Sequence, residues 1–282
     1  MVAASLVAPE RRGGALAIVF SGLTAANVLG VPLGTLLGDR YGWRSTFWAI
    51  TVIGVIAFIG IAALVPADRP GTPPVRLRGE LVAFRSGQIW LSLAITVLGF
   101  GGLFGAFSYI AFTLTRVSGF DSSVIPWLLL LFGVGMAVGN VVGGRLANTA
   151  VDRTITGMLL GLTVVMTVFA LTASNALLAV VSLVLMGAFG MGSLPAVQAR
   201  VMQHAGDAAT LASGANVAAA NVGNALGAGI GGTAIAVGLG FTAPLWSGAV
   251  FSVAALVLSV VAARTTRSRT APAGAEAVSA PA

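Results

Sequence analysis

The chain has 282 residues, of which 57% are hydrophobic and only 8% are charged. Soluble domains carry roughly 25% charged residues, so this composition cannot cover a water-facing surface and excludes a soluble globular protein. The net charge of +7 comes entirely from arginine, and the arginines lie between apolar runs, which excludes a nucleic-acid-binding stripe. The absence of cysteine excludes disulfides and thiolate metal sites.

Eight apolar runs follow one another along the chain, each near the length of about 20 residues that crosses a hydrocarbon core. Their repetition predicts an all-α polytopic membrane protein with about eight transmembrane helices. The predicted spans lie at residues 14–37, 45–65, 89–114, 123–146, 155–173, 175–196, 209–236 and 241–263.

The distribution of arginine predicts how the chain is oriented in the membrane. If the N-terminus is cytoplasmic, only Arg40, Arg44 and Arg116 lie outside and the other twelve of the fifteen arginines lie inside. Because cytoplasmic loops carry the excess of Lys and Arg, we expect both termini in the cytoplasm of a multi-pass cell-membrane protein.

The first span is unusually rich in residues that weaken a helix in water. It contains Gly22, Gly30, Pro32 and Gly34, with Asn27 at mid-depth. Membrane helices tolerate such residues because small side chains let neighbouring helices approach closely. We therefore expect a bend and a close helix contact in this span.

Part of the first span recurs near the end of the chain. The sequence of residues 25–28, Ala-Ala-Asn-Val, returns at residues 219–222, and the pattern Gly42 to Trp48 matches Gly240 to Trp246. Asn and Trp are rare in this chain, so the match exceeds what an Ala- and Gly-rich composition gives by chance. Repeated helix sets are typical of transporters whose halves rock about a central site.

The longest connection, residues 66–88, follows the second span and opens with a proline-rich stretch. In its second half Leu77, Leu81 and Phe84 fall on one side, with Arg78 and Arg85 elsewhere. This pattern fits a short amphipathic helix on the inner membrane surface, and a solvated basic linker is the alternative.

Several motifs together resemble one transporter family. Gly30–Gly34 resembles a glycine-proline antiporter motif, and Gly42–Trp48 resembles the helix start that follows it. Gly139–Leu146 resembles a loop signature between the eighth and ninth helices, with Asn148 where an acid is usual, and Asn221–Gly227 resembles the eleventh helix of efflux members. On these residues the chain is similar to the major facilitator superfamily, in its twelve-helix drug:proton antiporter branch.

The resemblance implies a domain organisation. Residues 1–65 would be a partial N-terminal half carrying the fifth and sixth helices, and residues 89–263 a complete six-helix C-terminal half. Residues 66–88 would be the cytoplasmic linker between them, and residues 264–282 a disordered cytoplasmic tail. Under this alignment four helices would be expected before the first span, so the chain is expected to be N-terminally truncated.

The polar residues expected inside the spans are neutral. No Asp, Glu, Arg or His is expected within a span, so no proton carrier and no catalytic residue, cofactor or metal site is predicted. The candidates for lining a substrate cavity are Asn27, Tyr109, Asn140, Asn216, Asn221 and Asn224. For the asparagines, hydrogen bonding between helices is an equally good interpretation, and for Tyr109 the alternative is packing among phenylalanines.

Two further interpretations concern packing and gating. Gly223, Gly227 and Gly231 recur every four residues, which predicts a helix-packing stripe. Arg145 is a candidate for conformational gating at the cytoplasmic end of its span, against a simple role in topology. His204, the only histidine, is expected to be solvated in a loop.

These observations favour a monomeric secondary transporter that exports a small molecule such as a drug, a sugar or a nucleobase-like compound. Alternating access driven by proton exchange is the mechanism that the resemblance implies, with the bilayer, the substrate and protons as partners. A truncated membrane protein that does not transport and acts as an interaction partner is one alternative. A sugar importer or facilitator is the other.

Overall fold

In a computed structural model of the protein, the structure describes residues 22, 26, 29, 30, 32–64 and 83–270. Within these residues the chain is helical, with short 3-10 turns between helices. The helices are α1 (residues 32–41), α2 (Trp43–Leu64), α3 (Gly87–Phe107), α4 (Ile110–Arg116), α5 (Ile125–Ala147), α6 (Val151–Thr172), α7 (Ala176–Ala205), α8 (Ala209–Ala236) and α9 (Ala243–Thr270).

Helices α1 and α2 form a hairpin around Gly42, whose φ of 81° lies in the left-handed region that favours glycine. The Thr46 hydroxyl donates a hydrogen bond of 3.2 Å to the Gly34 carbonyl, and the Ser45 hydroxyl donates one of 3.1 Å to the Leu37 carbonyl. Beyond this contact, the apolar stretch of α2 buries none of its residues, and Phe58 is 72% exposed. An exposed helix of this composition suits hydrocarbon rather than water.

Helices α3 to α9 form a bundle in which α3 lies centrally. α3 packs against α7, α8 and α9, while α5 packs on α7, and α6 packs on both α7 and α9. Leu103, Phe132, Met166 and Phe169 lie in its core and are at most 2% exposed. The buried residues of this core come from six helices, α3 to α7 and α9, so the bundle has a continuous apolar centre.

Glycine sets the distance between two helix pairs in this bundle. A methyl group added to Gly105 of α3 would lie 2.8 Å from the Gly227 carbonyl oxygen of α8. A methyl group on Gly187 of α7 would lie 2.6 Å from the Phe132 carbonyl oxygen of α5. Gly223 and Gly231 also face the α3 backbone, so the predicted packing stripe on α8 is confirmed as a close contact with α3.

The helices follow the predicted spans, with three differences. Helix α9 continues to Thr270, seven residues past the predicted end at 263, so the first part of the predicted disordered tail is helical, while residues 271–282 lie outside the described residues. The span predicted at 89–114 is interrupted at Ser108 and Tyr109, where α3 ends and α4 begins. The span predicted at 175–196 continues for nine more residues as α7, to Ala205, and it passes Pro195 on the way. The predicted amphipathic segment is described only at Ala83–Arg85, which forms a 3-10 turn.

Six of the described helices are long and apolar enough to cross a membrane. They are Trp43–Ala63, Gly87–Arg116, Ser122–Ala147, Val151–Thr172, Ala176–Ala205 and Ala243–Thr266. Helix α8 has 28 residues, with the bounds 209–236 that the sequence predicts, but it is more polar than these six because it carries three asparagines. Its polar side chains therefore need partners inside the protein.

Candidate functional site

A buried ion pair stands where the end of α7 meets the start of α6. The Arg200 guanidinium pairs with the Asp152 carboxylate, and the Arg200 side chain is only 2% exposed. Its second nitrogen donates hydrogen bonds of 2.6 Å to the Gln88 amide oxygen and 3.3 Å to the Thr266 hydroxyl. The Gln88 amide nitrogen in turn donates to the Thr265 hydroxyl at 2.8 Å. One arginine thus ties together α3, α6, α7 and α9.

A second set of polar contacts involves Thr96, which lies eight residues after Gln88 on α3. The Thr96 hydroxyl of α3 donates a 2.6 Å hydrogen bond to the Asn216 amide oxygen of α8. The Asn216 amide nitrogen donates to the Gln198 amide oxygen of α7 at 2.7 Å, and Gln198 donates to the Ser213 hydroxyl at 2.5 Å. Asn216 is 1% exposed and both ends of its amide are satisfied, so it joins three helices.

The prediction that no arginine or histidine lies within a span is wrong, because α7 carries both Arg200 and His204. Hydropathy falls after Ala196, so the predicted span ended there, but the helix continues because neighbouring helices satisfy its polar side chains. His204 is half-buried and helical rather than solvated in a loop. Its ring Nδ1 lies 2.9 Å from the Arg200 carbonyl oxygen.

Two asparagines in the middle of α8 have no such partners. Asn221 is exposed, and its amide donates only to the Val217 carbonyl of its own helix, at 2.9 Å. Asn224 is half-buried, and its amide oxygen is inaccessible to solvent and accepts no hydrogen bond from any described residue. Both side chains lie 12 to 15 residues from the start of a 28-residue helix, which places them near its midpoint.

Tyr109 lies at the break between α3 and α4. Its hydroxyl donates a hydrogen bond of 2.9 Å to the Ala228 carbonyl of α8. Nearby, the rings of Phe107 and Phe132 stack with centroids 4.3 Å apart. The phenol is therefore engaged with α8, where it also lies against Gly231 and Gly232.

The remaining predicted residues lie apart from these contacts. Asn140 is half-buried in α5, and Arg145 is exposed near the end of α5, so the buried arginine of the bundle is Arg200 rather than Arg145. Asn27 lies outside the described residues. The antiporter-motif candidates stand in the first span, where Gly22 and Gly30 are exposed, Pro32 is buried and Gly34 contacts Thr46.

Sequence reasoning missed Gln88 and Thr96, and it did not assign a role to Gln198. A usable signal was present in α3, because Gln88, Ser92 and Thr96 recur every four residues and are all buried. Such a polar stripe along an otherwise apolar span marks one face that turns toward other helices. Among the described residues, no group of three His, Cys, Asp or Glu side chains could hold a metal ion.

The apolar helices, the close glycine contacts and the polar network inside the bundle define a polytopic α-helical membrane protein. A family model described as "Major Facilitator Superfamily" matches residues 1–209 and 89–281 of the chain. The chain belongs to this superfamily, which consists of transporters and not of enzymes.

Three relatives within the superfamily are similar to the chain over most of its length. The chain is 38% identical to the "Inner membrane transport protein YdhP" of Escherichia coli over 94% of its length and 68% of the relative's. It is 35% identical to a "Chloramphenicol resistance protein" of Streptomyces lividans over 90% of the chain and 66% of that protein. It is 27% identical to the "Purine ribonucleoside efflux pump NepI" of Shigella sonnei, over 90% of the chain and 64% of the pump. The chain thus spans about two thirds of the length of these relatives.

Proposed function

We propose that the protein exports a small molecule across the cytoplasmic membrane by alternating access, in exchange for protons. Both termini lie in the cytoplasm, and the protein acts as a monomer. The substrate class is a drug-like or nucleoside-like compound of moderate polarity. Export, rather than uptake, is supported by the resemblance of Gly30–Gly34 to an antiporter motif and by relatives named for efflux and for chloramphenicol resistance.

The observation that carries this proposal is the mid-membrane face of α8. Asn221 has no partner on another described helix, and the Asn224 amide oxygen is buried without a hydrogen bond. A polar group left unpaired in a membrane costs free energy unless a substrate, water or another helix pairs with it. Transporter substrates bind near the bilayer midplane, which is where these two side chains lie.

The packing of the bundle supports movement of helix pairs as units. Helices α3 and α8 meet backbone to backbone at Gly105 and Gly227, so no flexible side chain separates them. In the hairpin of α1 and α2, the Thr46 side chain packs on Gly34 and its hydroxyl donates a hydrogen bond to the Gly34 carbonyl oxygen. Alternating access requires rigid parts that rock about a central site, and such contacts provide the rigidity. The resemblance of Gly30–Gly34 to the antiporter motif supports a role of Gly30, Pro32 and Gly34 in limiting leak.

The proposal is tested by expressing the complete gene in a bacterial host that lacks its own efflux pumps. We expect lower accumulation of chloramphenicol or of a labelled purine ribonucleoside, and we expect a protonophore to abolish the difference. Unchanged accumulation across a broad substrate panel would contradict transport. Export that persists after the proton gradient is collapsed would contradict proton coupling but not export itself.

Two asparagine variants separate substrate contact from packing. Asn224→Leu should weaken the apparent substrate affinity about fivefold, the effect of losing one hydrogen bond of about 1 kcal/mol, without reducing the amount of folded protein. Asn216→Leu is the matched control on the same helix, and it should reduce folded protein because it removes the hydrogen bonds of Asn216 to the Thr96 hydroxyl and to the Gln198 amide oxygen. Equal loss of folded protein in both variants would show that Asn224 is a packing residue.

A further inference from the structure

A basic cleft lies between α6 and α9, on the outside of the bundle and away from the α8 face described above. Its volume is about 410 Å³, and it is lined by Arg153, Thr156 and Gly157 of α6 and by Val260, Ala263 and Arg264 of α9, with Asp152 at its edge. We propose that this cleft, defined by these seven residues, binds the phosphate headgroup of an anionic phospholipid.

The charges at the cleft favour an anion. Arg153 is exposed and makes no hydrogen bond or ion pair with any described residue, and Arg264 stands on the facing helix. Asp152, the acid that lines the cleft, is already bound by the buried guanidinium of Arg200. The charge of Arg153 therefore has no counter-charge among the described residues, and a phosphate is an anion that guanidinium groups bind with good geometry.

The local backbone adds to this preference. Helix α6 begins at Val151, and its N-cap residue, Ala150, provides no side-chain hydrogen bond. The first amides of a helix point outward and carry partial positive charge. They lie next to Arg153, so the positive potential of the cleft comes from both side chains and backbone.

The surface that continues from the cleft identifies the ligand as a lipid rather than a free anion. Along α6 the exposed face runs through Leu160, Val164 and Leu171, and along α9 it runs through Val257 and Val250. From Gly157 to Leu171 this face covers about 20 Å of helix, which exceeds the 15 Å or so of one leaflet's hydrocarbon. The two apolar faces end at Arg153 and Arg264, which both line the cleft. This arrangement fits a phospholipid, because its charged headgroup lies at one end of its acyl chains.

Gly157 gives the headgroup region its depth. A methyl group added at this position would meet no atom within 4 Å, so the space above the glycine is open. Thr156 beside it is held by a contact of 3.2 Å between its hydroxyl and that of Ser259, which ties the two walls of the cleft together. The cleft is therefore preformed by packing between α6 and α9.

The test measures lipid binding to the purified protein by native mass spectrometry. Phosphatidylglycerol should bind in preference to phosphatidylcholine with the same acyl chains. Because each arginine near the membrane surface contributes about 1 kcal/mol, Arg153→Gln and Arg264→Gln should each lower phosphatidylglycerol affinity roughly fivefold, and the pair roughly thirtyfold. Arg116→Gln, an exposed arginine outside the cleft, should leave the affinity unchanged.

Two further measurements test the shape of the cleft and the contribution of the acyl chains. Gly157→Leu fills the cleft without changing charge, and it should lower phosphatidylglycerol affinity several-fold even if the double arginine variant does not fold. Glycerol 3-phosphate should bind at least a hundredfold more weakly than the lipid, because it lacks the acyl chains. Equal affinity for both ligands, an unchanged lipid preference in the variants, or an equal loss in Arg116→Gln would each overturn the proposal.

Discussion

Replacing Gly105 with alanine tests whether glycine sets the distance between α3 and α8. The added methyl group would lie 2.8 Å from the carbonyl carbon and oxygen of Gly227 and 2.9 Å from its Cα. All three are backbone atoms of a helix, so no side chain can rotate away. Gly99 is the matched control on the same helix, because a methyl group there would meet only the end of the Leu159 side chain, at 3.5 Å.

The expected effect follows from these distances. Ordinary van der Waals contact begins near 3.4 Å, so α8 would have to retreat by about 0.6 Å to accept the methyl group on Gly105. Overpacking of this kind costs about 1–3 kcal/mol, while replacing a helical glycine with alanine gains about 0.5–1 kcal/mol of backbone entropy. Gly99→Ala should therefore be neutral or stabilising, and Gly105→Ala should be about 1–3 kcal/mol less stable than Gly99→Ala.

The assay is reversible unfolding of the purified protein in mixed detergent micelles, followed by circular dichroism. The two variants are compared with the parent protein under one set of conditions, and the difference between their free energies of unfolding is the result. Equal stability of Gly105→Ala and Gly99→Ala would mean that α3 and α8 are not held at the distance of a glycine contact.

Two other predictions concern charged groups. Asp152→Asn should destabilise the protein by about 3 kcal/mol in the same unfolding assay, because it leaves the buried Arg200 guanidinium without a counter-charge. An additional Arg200→Met change should recover part of that loss, and no recovery would refute the charge argument. The pKa of Asp121 is lowered from its ordinary value by hydrogen bonds from the Ser123 hydroxyl and from the Ser123 backbone N–H. A lowered pKa means that this stabilisation is complete above the ordinary value and is lost as the pH falls through the lowered one. Asp121 caps the 3-10 turn Ser122–Val124, so Asp121→Ala should speed amide hydrogen exchange at residues 122–124 at neutral pH, and unchanged exchange would contradict this capping role.

The sequence alone predicts the class of protein, the order of its helices and many of their limits. Apolar runs of membrane-spanning length are a local property, so Trp43–Leu64 and Ala209–Ala236 could be located without knowledge of any neighbour. The family resemblance rested on short motifs such as Gly139–Leu146, and the superfamily match confirms it. The glycine stripe on α8 was likewise readable from spacing alone.

Other features depended on which helices meet. Hydropathy could not extend α7 to Ala205, because Gln198 and Arg200 are unfavourable in lipid until partners on α3, α6 and α8 are known. For the same reason, the sequence could not show that Asn216 is hydrogen-bonded to other helices and that the Asn224 amide oxygen is not. Their residue type is identical, and only the surrounding helices decide which of them is satisfied.

Length, composition and residue spacing are local properties, so they are enough to identify this chain as a bundle of apolar helices of the superfamily. Which polar groups are paired depends on how the helices pack. Asn216 meets Thr96 and Gln198, whereas the Asn224 amide oxygen meets no described partner. The physical reason is that a hydrogen bond between helices depends on how each helix is rotated about its axis, and that rotation is set by packing across residues far apart in the chain.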